Sequence, residues 1–172
     1  MQCHGALVEI QGVGVLLLGP SGIGKSECAL ELVRRGHRLV ADDVVELRVT
    51  DAGELRGTSP PQIRHYLEIR GLGILYVPDL FGEGAVLEHM GVDLVCHLDP
   101  PDQGREYERV GLERSMTELA GIERPSITVP ARPAGSIATV VEVAARDHLL
   151  RREGRVAARD LDAALRRKMG RV

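Results

Sequence analysis

The sequence predicts an α/β domain built around a phosphate-binding loop, and three observations lead there. Gly19-Pro20-Ser21-Gly22-Ile23-Gly24-Lys25-Ser26 meets every fixed position of the pattern G-x-x-x-x-G-K-[ST]. The run before it, Val13-Gly14-Val15-Leu16-Leu17-Leu18, reads as a buried strand. The run after it, Glu27 to Arg35, reads as a helix whose Ala29, Leu30, Leu32 and Val33 suit packing on a sheet. Glycines let such a loop curl until successive N–H groups face an anion, and the helix N-terminus adds its positive dipole end. In this setting Lys25 reaches the outer phosphates of a nucleotide, and the Ser26 hydroxyl is a ligand for Mg²⁺. A nucleoside triphosphate is the expected ligand. The competing reading, a plain glycine-rich turn, is weakened by the strand and helix on either side.

The remaining elements follow from apolar runs and turn residues. Leu7-Val8-Glu9-Ile10 is a short strand, turning through Gly12 to Gly14 into the strand before the loop. Arg34 and Arg35 suit the last turn of the helix, and Gly36 its C′ position. Arg38-Leu39-Val40-Ala41 is the next strand, so strand, helix and strand form a βαβ unit. Val44–Thr50 and Glu54–Thr58 alternate around Asp51-Ala52-Gly53 as a hairpin. Glu68–Tyr76 reads as loop passing into strand, and Phe81-Gly82-Glu83-Gly84 as a turn. Val92–Leu98 is a buried strand, Pro100–Gly104 a polar loop, and Ile127-Thr128-Val129 a strand bounded by prolines. Ile137–Leu150 is a helix starting near Ser136, and Ala158–Met169 a second, amphipathic one.

Composition bounds what this domain does. Its 172 residues suffice for one domain with its own core, and no linker divides them. With no Trp, one Phe and three Tyr, the core must be built from Val, Leu, Ile and Ala. The same scarcity removes base-stacking platforms, and a net charge of −3 gives no reason to expect nucleic acid. No apolar run approaches a membrane span and no leader segment is visible, so the expectation is a cytoplasmic protein without membrane contact. Cys3, Cys28 and Cys96 form no zinc set and read as reduced thiols, with Cys28 a small buried residue.

Chemistry gathers at three further places. Asp42-Asp43 ends the strand after the helix, where ligands of open α/β sheets collect. One acid there holds Mg²⁺ or its waters, and the other is free to accept the proton of an attacking hydroxyl. Two adjacent acids also require a nearby cation or a raised pKa, and a solvated strand end is the competing reading. In Glu68-Ile69-Arg70-Gly71-Leu72-Gly73-Ile74, Glu68 offers a second Mg²⁺ oxygen and Arg70 a bidentate grip on phosphate. By themselves these two are also consistent with a solvated surface pair. His4 and Arg109 receive no role from spacing alone.

Taken together, His4-Gly5, Gly19 to Glu27, Gly36 to Asp43 and Leu67-Glu68-Ile69-Arg70-Gly71-Leu72-Gly73-Ile74 resemble the catalytic domain of bacterial HPr kinase/phosphorylase. The resemblance continues through Asp79-Leu80-Phe81-Gly82, Glu123-Arg124-Pro125, Thr128-Val129-Pro130 and Val141 to Ala145. It implies a P-loop fold related to phosphoenolpyruvate carboxykinase, with a mixed sheet, flanking helices and C-terminal helices, assembled as a homohexamer. It implies ATP-dependent, Mg²⁺-dependent phosphorylation of a serine on the phosphocarrier protein HPr, in the regulation of the phosphotransferase system. It also implies the reverse reaction, in which inorganic phosphate attacks the phosphoserine and pyrophosphate is released. By position, Asp43 is then the general base in phosphorylation and the general acid in dephosphorylation. Lys25 binds the transferring phosphate, Ser26 and Glu68 hold Mg²⁺, and His4 and Arg109 are catalytic-site residues. Asp42, Arg70 and Arg132 are assigned to substrate or phosphate. The family's C-terminal helices contact the partner protein across subunits, which nominates Ala158–Met169. Two departures accompany the match. The family's additional N-terminal domain is absent, so 1–172 is expected to be a single catalytic domain. In Pro130-Ala131-Arg132-Pro133-Ala134-Gly135-Ser136, a stretch tied to dephosphorylation, Arg132 keeps a cation but Ser136 stands where an Arg is expected. The alternatives are a kinase of the same fold acting on a small hydroxylated metabolite or another carrier protein, and a non-catalytic nucleotide-gated module.

Overall fold

The computed structural model describes residues 1–100, 106–107, 109–131 and 136–169. Two strands open the fold, β1 (Gln2–Ile10) and β2 (Val13–Leu18), a hairpin in register from Gly5↔Leu18 to Ile10↔Val13. Helix α1 (Lys25–Arg34) follows the phosphate loop. Then come β3 (Arg38–Ala41), β4 (Val44–Val49), β5 (Leu55–Thr58) and the hairpin β6 (Tyr66–Ile69) and β7 (Gly73–Tyr76). A short helix α2 (Val77–Phe81) and a 3-10 turn (Glu83–Ala85) lead to β8 (His89–Gly91) and β9 (Leu94–Asp99). The chain continues through β10 (Ser115–Leu119) and β11 (Ile122–Pro130) into α3 (Ile137–Arg152) and α4 (Ala157–Met169).

One mixed sheet runs β10-β11-β9-β2-β1-β4-β5-β8, with β3 also paired to β1. β2, β9 and β11 are mutually parallel, and β3, antiparallel to β1, points the same way. The expected βαβ unit is therefore present in chain order but not in pairing. Both edges of β2 are taken, by β1 and β9, so β3 lies one strand further out. β1 is longer than its apolar run because its other edge serves two partners, β3 at Leu7–Glu9 and β4 at Gln2–His4. The link between those partners is Asp42-Asp43.

The β4–β5 hairpin forms as expected, closed by the Gly53 N–H donating to the Thr50 carbonyl. Two expectations change. Glu68–Tyr76 is not loop entering a strand but the β6–β7 hairpin, with Tyr66 and Tyr76 paired at 4.9 Å between ring centroids. β11 begins before Pro125 and runs through it, and ends at Pro130 as expected. Pro125 lies one residue before pairing with β9 begins, so it faces a single neighbouring strand and its missing N–H is tolerated.

Side chains alternate cleanly across the central strands. Ala6, Val8, Ile10, Val13, Val15 and Leu17 pack on one face against Cys28, Ala29, Leu32 and Val33 of α1 and Ala138, Val141 and Ala145 of α3. Leu7 and Leu16 enter a second core on the other face with Val45, Leu47, Leu55 and Val95. Helix α4 buries none of its side chains, and Leu161, Leu165 and Met169 stand exposed at i, i+4 spacing. Among the described residues, no helix is long and apolar enough to cross a membrane.

Candidate active site

The carboxyl ends of β2, β3, β9 and β11 share one edge of the sheet, where the phosphate loop and Asp42-Asp43 both emerge. The loop packs hard on the sheet. A Cβ at Gly19 would stand 2.6 Å from the Leu98 carbonyl oxygen of β9. Gly24 is the N-cap of α1 at φ 105°, a left-handed conformation that glycine accepts without strain. The next two residues, Lys25 and Ser26, therefore begin the helix with their N–H groups free of intrahelical partners.

Lys25 is buried, and its Nζ donates to the carbonyls of Gly19 at 2.9 Å and Pro20 at 3.0 Å. Burial draws its pKa down, while Asp42, Asp43 and Glu27 oppose that shift. Ser26 Oγ lies 2.8 Å and 3.0 Å from the two carboxylate oxygens of Asp42, to which it donates. Asp42 is 4 % exposed and also accepts the backbone N–H groups of Asp43 and Glu68. Even so, burial dominates and pushes its pKa up to about 6.

Asp43 is the opposite case. Its backbone turns left-handed at φ 66°, so consecutive acids point to different environments: Asp42 under the loop, Asp43 out to solvent. Its carbonyl accepts the Gly5 N–H at 3.1 Å, which fixes the turn to β1. His4 Nδ1 lies 2.9 Å from that carbonyl and 3.1 Å from Asp43 Oδ1. The pairing of His4 with Val44 across β1 and β4 holds the ring there. The carboxylate is thus exposed, oriented and at the mouth of the loop.

The β6–β7 hairpin completes this side. Glu68 contributes its N–H to Asp42 and leaves its carboxylate exposed. The Arg70 guanidinium lies over the loop, where a Cβ at Gly22 would meet Nη1 at 3.0 Å. The structure thus gathers Gly19, Pro20, Ser21, Gly22, Ile23, Gly24, Lys25, Ser26, His4, Asp42, Asp43, Glu68 and Arg70 around one loop. Arg109 lies elsewhere, on the wall of a cavity of about 1030 Å³ that Ser126 and Thr128 of β11, the α3 N-cap Ser136, and Ile137 and Val140 of α3 also line. Arg132 lies outside the described residues.

Asp42, assigned to substrate or phosphate by resemblance, lies beneath the loop on Ser26. The Ser26 hydroxyl and the acid are sixteen residues apart in the chain, and only the strand arrangement brings them together. Among the described residues, no three His, Cys, Asp or Glu side chains converge as a metal cage. Mg²⁺ needs no such cage. It keeps several waters and takes one or two protein oxygens, and the Ser26 hydroxyl backed by a buried acid, with the Glu68 carboxylate nearby, fits that chemistry.

A strand–loop–helix with a basic residue inside the loop and a buried carboxylate on its last hydroxyl defines a phosphate-loop α/β domain. The chain belongs to the HPr Serine kinase C-terminal domain family, whose model matches residues 1–165. It is 50 % identical over 167 residues to an HPr kinase/phosphorylase of Caldanaerobacter subterraneus, covering 97 % of this chain and 55 % of that protein. It is 52 % identical over 162 residues to one of Geobacillus thermodenitrificans, covering 94 % and 52 %. The chain spans about half the length of the curated relatives it matches. Its fold is similar to the solved structure of the HPr(Ser) kinase/phosphatase from Coxiella burnetii, with TM-score 0.82 and 35 % identity over 90 % of this chain and 93 % of that one.

Proposed function

We propose that this domain transfers the terminal phosphoryl group of ATP to a serine hydroxyl of HPr, and catalyses the reverse phosphorolysis of phosphoserine-HPr to pyrophosphate. The observation that carries the reading is the split pair of acids: a buried Asp42 engaged with Ser26 and, next to it, an exposed Asp43 held by His4 at the mouth of the loop. The family membership and the names of the relatives point to the same acceptor.

Asp43 accepts the serine proton as the hydroxyl oxygen forms its bond to the γ-phosphorus and the bond to ADP breaks. In the reverse direction a phosphate oxygen attacks the phosphoserine phosphorus, Asp43 returns the proton to the departing serine, and pyrophosphate forms. Lys25 leaves the Gly19 and Pro20 carbonyls and turns to the transferring phosphate. The backbone N–H groups of the loop stabilise the oxygens where charge develops. Arg70, poised over Gly22, supplies further positive charge at the loop. His4 orients Asp43. Ser26 and Glu68 would hold Mg²⁺, with Asp42 orienting the Ser26 hydroxyl, and the ion would supply positive charge against the phosphates. The unpacked apolar stripe of α4 supports a role at a subunit or partner interface, in a homohexamer.

Incubation with labelled ATP, Mg²⁺ and HPr tests the reading. Label on an HPr serine is the expected result. ATP bound but no label transferred would overturn it and direct attention to a small hydroxylated acceptor.

A further inference from the structure

A second polar cluster lies at the far end of α1 from the loop. Arg35, the C-cap of that helix, directs one planar fork at α3. Its Nη1 donates to Glu142 Oε2 at 2.8 Å, and its Nη2 donates to Thr139 Oγ1 at 2.9 Å and to Glu31, with Ser136 Oγ at 3.3 Å. Ser136 in turn donates to Glu31 Oε1 at 2.9 Å and accepts the Thr139 N–H at 3.2 Å as the N-cap of α3. The polar atoms of the first turn of α3 are therefore tied to α1.

The same turn touches the other end of α1. Ile137 Cδ1 would lie 3.8 Å from a Cβ at Gly24, the loop's own N-cap glycine. Ser136, Ile137 and Val140 also form one wall of the cavity that carries Arg109 on another. A single exposed ion pair contributes little. A rigid guanidinium with several acceptors is different, because its planar donors fix an orientation as well as a distance.

We propose that Arg35 is a positioning residue for phosphoryl transfer: it locks the first turn of α3 against α1 and so sets the spacing between the phosphate loop and the cavity wall formed by Ser136, Ile137 and Val140. This rests on the kinase reading above. Arg35 reaches Ser136 of that wall while its side-chain hydrogen bonds go to Glu31, Ser136, Thr139 and Glu142 and not to the loop, so it acts on turnover and not on affinity for ATP.

Arg35→Gln and Arg35→Lys in the full chain test this with two readouts. In the first, kcat for HPr phosphorylation falls about tenfold or more in Arg35→Gln, as expected for a displaced reacting geometry. Arg35→Lys, which keeps the charge but not the fork, recovers part of it. The dissociation constant for ATP, measured by calorimetry, stays within about twofold of the parent. The second readout needs no acceptor: with ATP and Mg²⁺ present, amide hydrogen exchange over residues 136–145 speeds up in Arg35→Gln. A folded Arg35→Gln protein with parental kcat, or with kcat and ATP affinity lost together, overturns the proposal, as does unchanged exchange. If the parent chain labels no HPr at all, the kinase reading fails and the exchange measurement alone decides about Arg35. Should Arg35→Gln not fold, Thr139→Val removes one acceptor without removing a charge, and the same exchange change is expected over the same residues. Its absence would refute the lock.

Discussion

Replacing Asp42 by Asn should make the metal-free protein more stable while damaging its function. In the folded chain the Asp42 carboxyl titrates at about 6, above its ordinary 3.8, because burial penalises the charged form more than the Ser26, Asp43 and Glu68 donors favour it. A raised carboxyl pKa contributes stability that is fully present below pH 3.8 and is lost as pH rises through about 6. At pH 7.5 the ionised side chain therefore costs the fold about 3 kcal/mol, at roughly 1.4 kcal/mol per tenfold. Asn removes the charge but has one acceptor oxygen where the carboxylate has two, so about 1 kcal/mol returns as a lost hydrogen bond. A net gain of about 1–2 kcal/mol corresponds to a rise in Tm of roughly 3–8 °C for a chain of this size. The assay is thermal unfolding of both proteins in EDTA at pH 7.5 and again near pH 4.5. The advantage of Asn should be large at the higher pH and shrink or reverse at the lower. Adding Mg²⁺ and ATP should stabilise the parent by mass action more than the variant. A variant less stable than the parent at pH 7.5, or an advantage independent of pH, would refute the assignment of a strained buried charge.

Four further outcomes are expected. Asp43→Asn should lose transfer to HPr by a factor of about 10² to 10⁴ while ATP still binds, since the side chain is exposed and only its proton-accepting capacity changes. Parental turnover would remove Asp43 from that role. Lys25→Met should abolish measurable ATP binding in calorimetry while the protein stays folded, because among the described residues the Lys25 ammonium donates to carbonyls of its own loop and a methionine fills similar volume. Gly14→Ala should cost about 3 kcal/mol or more in denaturant unfolding, because the new Cβ would fall 1.7 Å from the Gly91 carbonyl oxygen, a backbone atom that cannot step aside. A near-neutral Gly14→Ala would mean that the β2–β8 crossing is looser than described. Leu161→Glu with Leu165→Glu should leave the unfolding free energy of the domain within about 0.5 kcal/mol, since both side chains are mostly exposed, but should lower the assembly state in light scattering.

The loop and its flanking strand and helix were legible because each signal there is local. Glycines, an apolar run and a helical stripe lie side by side in the chain, and Gly36 and Ser136 marked helix ends by chemistry that involves only their own neighbours. The β4–β5 hairpin was legible for the same reason. Pairing was not. Nothing in Arg38–Ala41 says that β1 will come between it and β2, because that depends on which edges of β2 are already occupied. Nor could local pattern tell that Glu68–Tyr76 folds back as a hairpin, since its glycines weaken the strand signal that its cross-strand tyrosine pair restores.

The chain's residues by themselves determined that a phosphate-loop motif stands between a strand and a helix, which side chains are chemically fit to serve it, and that the core is aliphatic. Only the folded arrangement decided the division of labour between the two acids. A left-handed turn at Asp43 sends its neighbour beneath the loop onto Ser26 and Asp43 itself toward solvent beside His4. Burial and charge compensation are properties of the space around a group, and that space is made by strands and a hairpin distant in the chain.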